Sequence, residues 1–340
     1  MNNWQHKITP ERKRLVIDNI AIQTGLSALA IEKDWWVTMV LKALFQTTCS
    51  GFLVFKGGTS LSKGWNLLDR FSEDIDVAIS PEFYGITNTS SKNQREKLRK
   101  LSSKYIQNEL IAEINSKFQQ AGIEDYSTEL ELTEVSDKDP RVIYIRYLSL
   151  YAENHYLTNW VKIEISCRSL REPFVPVNIR SIIAENYPKE SFSDEYFSVN
   201  IVSPKRTFLE KAFLLHEALQ KGRIQSKRMT RHLYDLYKLM DTAFAQEALA
   251  DVELYQTIVK HRFVMTREKG VDYSTHRPSK LNFVPENELI DLWADDYRSL
   301  QEIFIYGQPI TFEMLLERMK ELRSRFNSID MDEMFFDKLK

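Results

Sequence analysis

The sequence predicts an α+β protein, with a sheet and flanking helices over residues 1–202 and an α-helical unit over 203–340. Three observations lead there. Short apolar or alternating runs bounded by glycine, proline and polar clusters recur between residues 52 and 179, each too brief for a helix. Helical patterns surround them, and after Ser203-Pro204 the pattern turns helical and stays so. Hydrophobic residues make up 43% of the 340, with only 10 Gly and 10 Pro, which supplies a core and excludes a largely disordered or collagen-like chain.

Taken in order, residues 10–47 read as helices, with a break at Thr24-Gly25 separating 12–23 from the apolar-rich 28–45. Phe52-Leu53-Val54-Phe55 lies between Gly51 and Gly57-Gly58 and reads as a buried strand. A short helix over 60–67 is expected next, then an alternating strand over 74–79 and a long polar helix over 92–120. Four further strands are expected at 128–134, 141–148, 160–166 and 174–179. Beyond Ser203 the sequence is helical apart from an irregular stretch at 271–285.

Composition narrows the function classes. Lys and Arg total 46 against 48 Asp and Glu, so contact with nucleic acid must come from a local patch. Cys49 and Cys167 are the only cysteines, too few for a disulfide scaffold or a cysteine-rich zinc site, as suits a reducing cytosol. The six histidines never share an i,i+4 spacing, which argues against a histidine-built metal site. The N-terminal MNNWQHKITPERKR has no apolar signal core, and no run of about 18 uncharged apolar residues follows. A soluble, cytoplasmic protein with no membrane partner is expected.

The chemistry concentrates in residues 56–77. Gly57-Gly58 directly after a buried strand lets the backbone turn sharply and brings bare amides near a ligand. Thr59 or Ser60 is the expected cap of the following helix, whose first amides attract anions. Alone, the run also reads as an ordinary turn, and the G-x-x-x-x-G-K-[ST] spacing of a Walker loop is absent. Asp74 and Asp76 lie two apart on a strand and share a face, leaving Ile75, Val77 and Ile79 for the buried side. Paired carboxylates on one face call for a cation, and magnesium takes a few carboxylates plus substrate phosphates; the bland alternative is a solvated edge strand. A phosphate cradle beside a metal site is what in-line nucleotidyl transfer needs.

Lys56-Gly57-Gly58-Thr59-Ser60-Leu61 followed by Phe71-Ser72-Glu73-Asp74-Ile75-Asp76 resembles the AbiEii-type, or MenT-type, nucleotidyltransferase toxins of the DNA polymerase β-like superfamily. Upstream, Ile31-Glu32-Lys33-Asp34-Trp35-Trp36-Val37 is similar to the helical lead-in common in that family. The resemblance implies a nucleotidyltransferase-type mixed sheet, with the helical unit completing the active-site cleft. It implies Asp74 and Asp76 as metal ligands, with Glu164 of the alternating Val161–Ser166 run as third carboxylate, where the family more often has Lys-x-Asp. By residues alone, Lys162 and Glu164 are equally an exposed pair on a sheet. Two Mg²⁺ ions, or Mn²⁺ in their place, follow as cofactors. Gly57, Gly58, Thr59, Ser60, Lys63 and Lys162 form the expected nucleotide-binding set.

Two later segments extend the resemblance. Ser203 is a plausible N-cap with Pro204 at the first helical position, and Lys211 sits at the border of the apolar face. The segment resembles the family's third motif, whose lysine contacts the nucleotide; a lysine snorkelling from a core edge is the alternative. Arg231-His232-Leu233-Tyr234-Asp235-Leu236-Tyr237 resembles the fourth motif, whose aspartate supports the active site. Periodicity places Leu233, Leu236, Tyr237 and Met240 inward and Asp235 outward beside Arg231, as an exposed i,i+4 pair.

The implied function is that of a toxin in a toxin–antitoxin or abortive-infection system. It would transfer a nucleotidyl group from an NTP to an RNA acceptor, for some family members the 3′ end of tRNA. The implied partner is a cognate antitoxin, often one with a winged-helix domain, and Ser72 corresponds to a serine that inactivating modification can target. Basic clusters at Lys92, Arg95, Lys97, Arg99, Lys100 and Lys104, and at Lys221, Arg223, Lys227, Arg228 and Arg231, are candidate RNA contacts, with Tyr234 and Tyr237 as stacking candidates. The competing readings are a binding protein that kept the fold without the chemistry and a D-x-D glycosyltransferase, which has no need of the Gly-Gly turn.

Overall fold

The computed structural model describes residues 3–152, 158–221, 228–286, 289–306 and 308–339. The chain divides into two compact units, Met1–Gly64 with Phe71–Val202, and Trp65–Arg70 with Ser203–Lys340.

The first unit opens with a single helical turn, α1 (Asn3–His6), then α2 (Pro10–Thr24) and α3 (Ala28–Leu44). Thr9 caps α2 by accepting from the Arg12 amide, and Gly25 ends it in the left-handed region at φ 75°. Ser27 then caps α3 through the Ala30 amide, and α3 is buried along nearly its whole length. Next come β1 (Leu53–Lys56), α4 (Gly57–Lys63) and β2 (Ile75–Ile79). The expected long polar helix is α5 (Lys92–Tyr105), a π turn over Ile106–Leu110 and α6 (Ile111–Ala121). The remaining elements are β3 (Tyr126–Leu130), β4 (Arg141–Tyr147), β5 (Trp160–Ser166), β6 (Phe174–Ile179), α7 (Ile182–Asn186) and β7 (Phe197–Val202).

The strands form one seven-stranded mixed sheet in the order β3-β4-β5-β2-β1-β7-β6. β1 runs antiparallel to β2 and parallel to β7, and β2 runs parallel to β5. The acid-bearing strand and the strand leading into the glycines therefore sit together at the sheet centre. Sequence reasoning placed no strand at β7. That segment alternates Phe197, Val199 and Ile201 with polar residues, and its pairing with β1 and β6 makes it a strand.

The second unit is helical: α8 (Pro204–Gln220), α9 (Thr230–Leu239), α10 (Ala243–Ala250), α11 (Val252–His261), α12 (Ile290–Ile303), α13 (Phe312–Asn327) and the short α14 (Met334–Asp337). The segment Trp65–Arg70 belongs to it, an excursion that the single boundary at 202/203 did not anticipate. Trp65 packs edge-on against Phe244, Asp69 receives Lys238 at 2.6 Å, and Arg70 bridges to Ile305. Ser203 stands at the N-cap with Pro204 next, as expected, but its side chain makes no cap bond. Among the described residues no single helix is long and apolar enough to cross a membrane.

Buried titratable groups make the helical unit acid-sensitive. Burial pushes His216 and His261 down to about 4 from 6.5. Burial alone would raise Glu217, but Arg262 and His276 hold it at about 2 against an ordinary 4.5. An unfolded chain takes up the histidine protons below 6.5 while the folded one resists until about 4, so stability falls as pH drops through that window. Glu217 extends the loss from 4.5 toward 2 by the same sign. The melting temperature should therefore decline steadily from neutral pH to about 4; a flat profile would contradict this placement of the histidines.

Candidate active site

Register brings the expected bend and acids together in the first unit. Lys56 on β1 pairs with Asp76 on β2, and Asp76 pairs with Glu164 on β5. Cross-strand partners share a face about 4.8 Å apart, so Lys56, Asp76 and Glu164 form a row across three central strands. Asp74, immediately before β2, falls on the same face by alternation, while Ile75, Val77 and Ile79 are fully buried on the other. Along the acid face the row gives way to a small apolar cluster of Val54, Ala78 and Val202. Gly57 has φ +84°, and a Cβ there would lie 2.2 Å from Asp76 Oδ2. Only a residue without a side chain lets that carboxylate rest against the bend.

The neighbouring side chains play parts other than those expected. The helix begins at Gly57 itself, not at Ser60, so neither Thr59 nor Ser60 caps it. Thr59 is buried and donates to the Asp74 carbonyl at 2.5 Å, with Ser72 Oγ 2.8 Å away. Ser60 is fully buried and donates to the Gly57 carbonyl at 2.8 Å. Both hydroxyls thus brace the bend from within. Lys63, expected to bind nucleotide, is turned inward to Asp34 at 2.6 Å with 6% of its side chain exposed. The helix ends at Lys63, with Gly64 at the C-cap donating its amide to the Ser60 carbonyl, short of the expected Leu67.

Glu164 is half-buried and hydrogen-bonded to Lys162, whose ammonium also feels the Asp74 charge. Burial alone would lower Lys162, yet Glu164 and Asp74 raise it, so a protonated lysine sits among the carboxylates. Among the described residues no three His, Cys, Asp or Glu side chains close around a point as a metal cage. The donor set still fits magnesium: all ligands are oxygens, two share one strand face, and the bare bend leaves the Asp76 carboxylate room. That ion characteristically takes one or two carboxylates and completes its shell with water and substrate phosphate.

In the second unit, Asp235 is fully buried, not exposed beside Arg231. Four consecutive residues of α9, Leu233 to Leu236, are buried, so the helix packs on more than one side and the single-face reading fails. Arg70 clasps Asp235 in bidentate fashion, at 2.7 Å from Nε and 2.8 Å from Nη2, and Lys211 Nζ reaches it at 2.8 Å. Burial would raise the Asp235 carboxyl, but Arg70 and Lys211 hold it well below the usual range. Burial lowers Lys211, with Arg70 adding repulsion, and His232 is held well below its ordinary value by burial beside Lys211 and Arg231. One carboxylate thus faces two buried cations, and Arg231 adds a third whose Nε has no hydrogen-bond partner among the described residues.

Residues 40–318 match the family described as nucleotidyl transferase AbiEii toxin, type IV toxin–antitoxin system. The chain belongs to the AbiEii nucleotidyltransferase toxins. A solved structure with the same fold is MenT4, a nucleotidyltransferase toxin from Mycobacterium tuberculosis H37Rv, at a TM-score of 0.55 and 17% identity over 96% of this chain and 94% of that one. No curated protein matches it.

With the AbiEii family established, the residues that sequence reasoning passed over become clearer. Arg70 immediately precedes the second half of the quoted motif, three residues before Glu73, but its partner is 165 residues away and no local spacing reveals it. Lys56 lies in the motif itself, and its place opposite Asp76 follows from strand pairing alone. The basic clusters are partly spoken for. Arg99 pairs with Asp137, Lys221 with Glu268, and the Arg228 amide donates to Asp296; Lys97, Lys100 and Lys104 are exposed. Arg223 and Lys227 lie outside the described residues. Tyr234 is 2% exposed and so a core residue, leaving half-buried Tyr237 as the stacking candidate.

Proposed function

We propose that this AbiEii-family toxin transfers a nucleotidyl group from an NTP to an RNA acceptor, the 3′ end of a tRNA, in a reaction that depends on magnesium. The observation that carries the reading is the contact between the Gly57 bend and the Asp76 carboxylate, which sets bare backbone beside one member of the acid pair. In the overall reaction an acceptor hydroxyl oxygen bonds to the α-phosphorus, the bond to the bridging oxygen breaks, and pyrophosphate leaves.

Asp74 and Asp76 would hold the metal, with Glu164 as a third ligand once Lys162 yields it. Bound there, two Mg²⁺ ions, or Mn²⁺, would supply charge neutralisation at the α-phosphate and acidify the attacking hydroxyl. The backbone of Gly57 and Gly58 approaches the phosphates where a side chain would exclude them. Lys162 balances charge beside the acids. Within the second unit, Asp235 orients Lys211 and is itself fixed by Arg70. A cognate antitoxin is the protein partner.

The test is toxicity and pyrophosphate release by the Asp74→Ala and Asp76→Ala variants. Each should relieve growth arrest at equal expression and lower pyrophosphate release by at least about 100-fold. Persistent arrest in both variants would favour a binding protein that lacks the chemistry, and transfer of a sugar from a nucleotide sugar would favour the glycosyltransferase reading.

A further inference from the structure

Three consecutive charged residues in the middle of a buried helix are unusual, because Asp, Glu and Lys are almost never fully buried unless paired. Glu32, Lys33 and Asp34 on α3 are 5%, 2% and 7% exposed. Successive helical residues point about 100° apart, so the three aim in different directions and each meets a different part of the first unit. Glu32 accepts from the Ser149 hydroxyl and the Leu150 amide. Lys33 Nζ reaches Glu73 Oε2 at 2.5 Å and the Thr158 carbonyl at 3.1 Å. Asp34 accepts from Lys63 at 2.6 Å and from the Ile182 amide, in the first turn of α7, at 2.7 Å.

Two of these partners bracket the candidate site. Glu73 immediately precedes Asp74, and Lys63 is the last residue of the helix that begins at Gly57. Thr59 closes the bracket by donating to the Asp74 carbonyl. From this geometry we infer that Lys33 and Glu73, seconded by the Asp34–Lys63 pair, are positioning residues that set Asp74 and Asp76 against the Gly57 bend for nucleotidyl transfer. The role in transfer rests on the function proposed above; the positioning itself does not. Stability is a poor explanation for the pair. Replacing a buried ion pair by apolar residues of similar volume is often neutral or stabilising, whereas deleting one partner is costly. Positioning, by contrast, needs the directional grip of a short ion pair on the residue beside Asp74.

The experiment separates stability from geometry. The double variant Lys33→Met/Glu73→Leu removes both charges together, and Glu73→Asp keeps the charge but withdraws it by one methylene. Both should keep the melting temperature near that of the parent chain. Both should leave KM for the NTP within about threefold, and kcat should fall by about 100-fold in the double variant and at least about 10-fold in Glu73→Asp. Lys33→Arg, which retains the grip, should recover most of kcat. Independently of activity, amide hydrogen exchange should quicken over residues 72–76 in both variants while the rest of the sheet stays protected. A kcat within about threefold of the parent in both variants would overturn the inference, as would unchanged exchange over 72–76. A loss of activity that tracks the melting temperature would overturn it too. If the parent chain itself transfers nothing, it is the proposed function that fails, and the exchange pattern alone decides the positioning role.

Discussion

Gly57→Ala is expected to remove activity almost completely while leaving most of the fold in place. Alanine at φ +84° is strained on its own account, costing about 1–3 kcal/mol, a loss visible as a lowered melting temperature. The added methyl would also sit 2.2 Å from Asp76 Oδ2, so either the carboxylate swings away or the bend opens. Either response displaces a proposed metal ligand by about an ångström or more, enough to cost at least about 100-fold in kcat. The kcat of the purified variant, measured beside its melting temperature, checks this. Activity within a few-fold of the parent chain would show that the contact between bend and acid has no bearing on the chemistry.

Arg70→Met should produce the largest loss of stability of any single change proposed. It leaves Asp235 fully buried with half its clasp gone, and breaking one side of a buried pair typically costs about 3–5 kcal/mol. Lys211 remains bonded to Asp235, so the charge is not wholly uncompensated and the lower part of that range is expected. The variant should unfold at markedly lower denaturant concentration. Adding Asp235→Leu should not restore stability, because the buried Lys211 then loses its carboxylate as well. A single variant within about 1 kcal/mol of the parent would contradict the pairing described.

How much of this was legible in the chain depends on sequence distance. The strand, the two glycines and the acid pair fall within 24 residues, from Leu53 to Asp76, so turn chemistry and two-residue alternation locate them without a fold. Strands β5 and β6 carry bounds identical to those read from their alternation and their flanking turns. Asp235 escaped the same reasoning because a helix periodicity argument assumes one buried face, whereas α9 buries four residues in succession. Its environment depends on Arg70, which no pattern near Asp235 announces. The inward turn of Lys63 and the burial of Glu32, Lys33 and Asp34 escape local patterns for a related reason. Charged side chains read as solvated until the partners that compensate them are brought in from 29 to 148 residues away. Strand β7 alternates clearly enough, but only its place between β1 and β6 turns that alternation into sheet.

The central claim is that the Gly57 bend and the acid pair form a nucleotidyl-transfer site, and intact-mass measurement of cellular RNA after induction tests it most directly. Cells expressing the parent chain should accumulate an RNA species heavier by whole nucleotidyl units, which identifies the acceptor and the added base together. Cells expressing Asp76→Ala at the same level should show none. RNA of unchanged mass in growth-arrested cells, or the same added mass with either chain, would contradict the account.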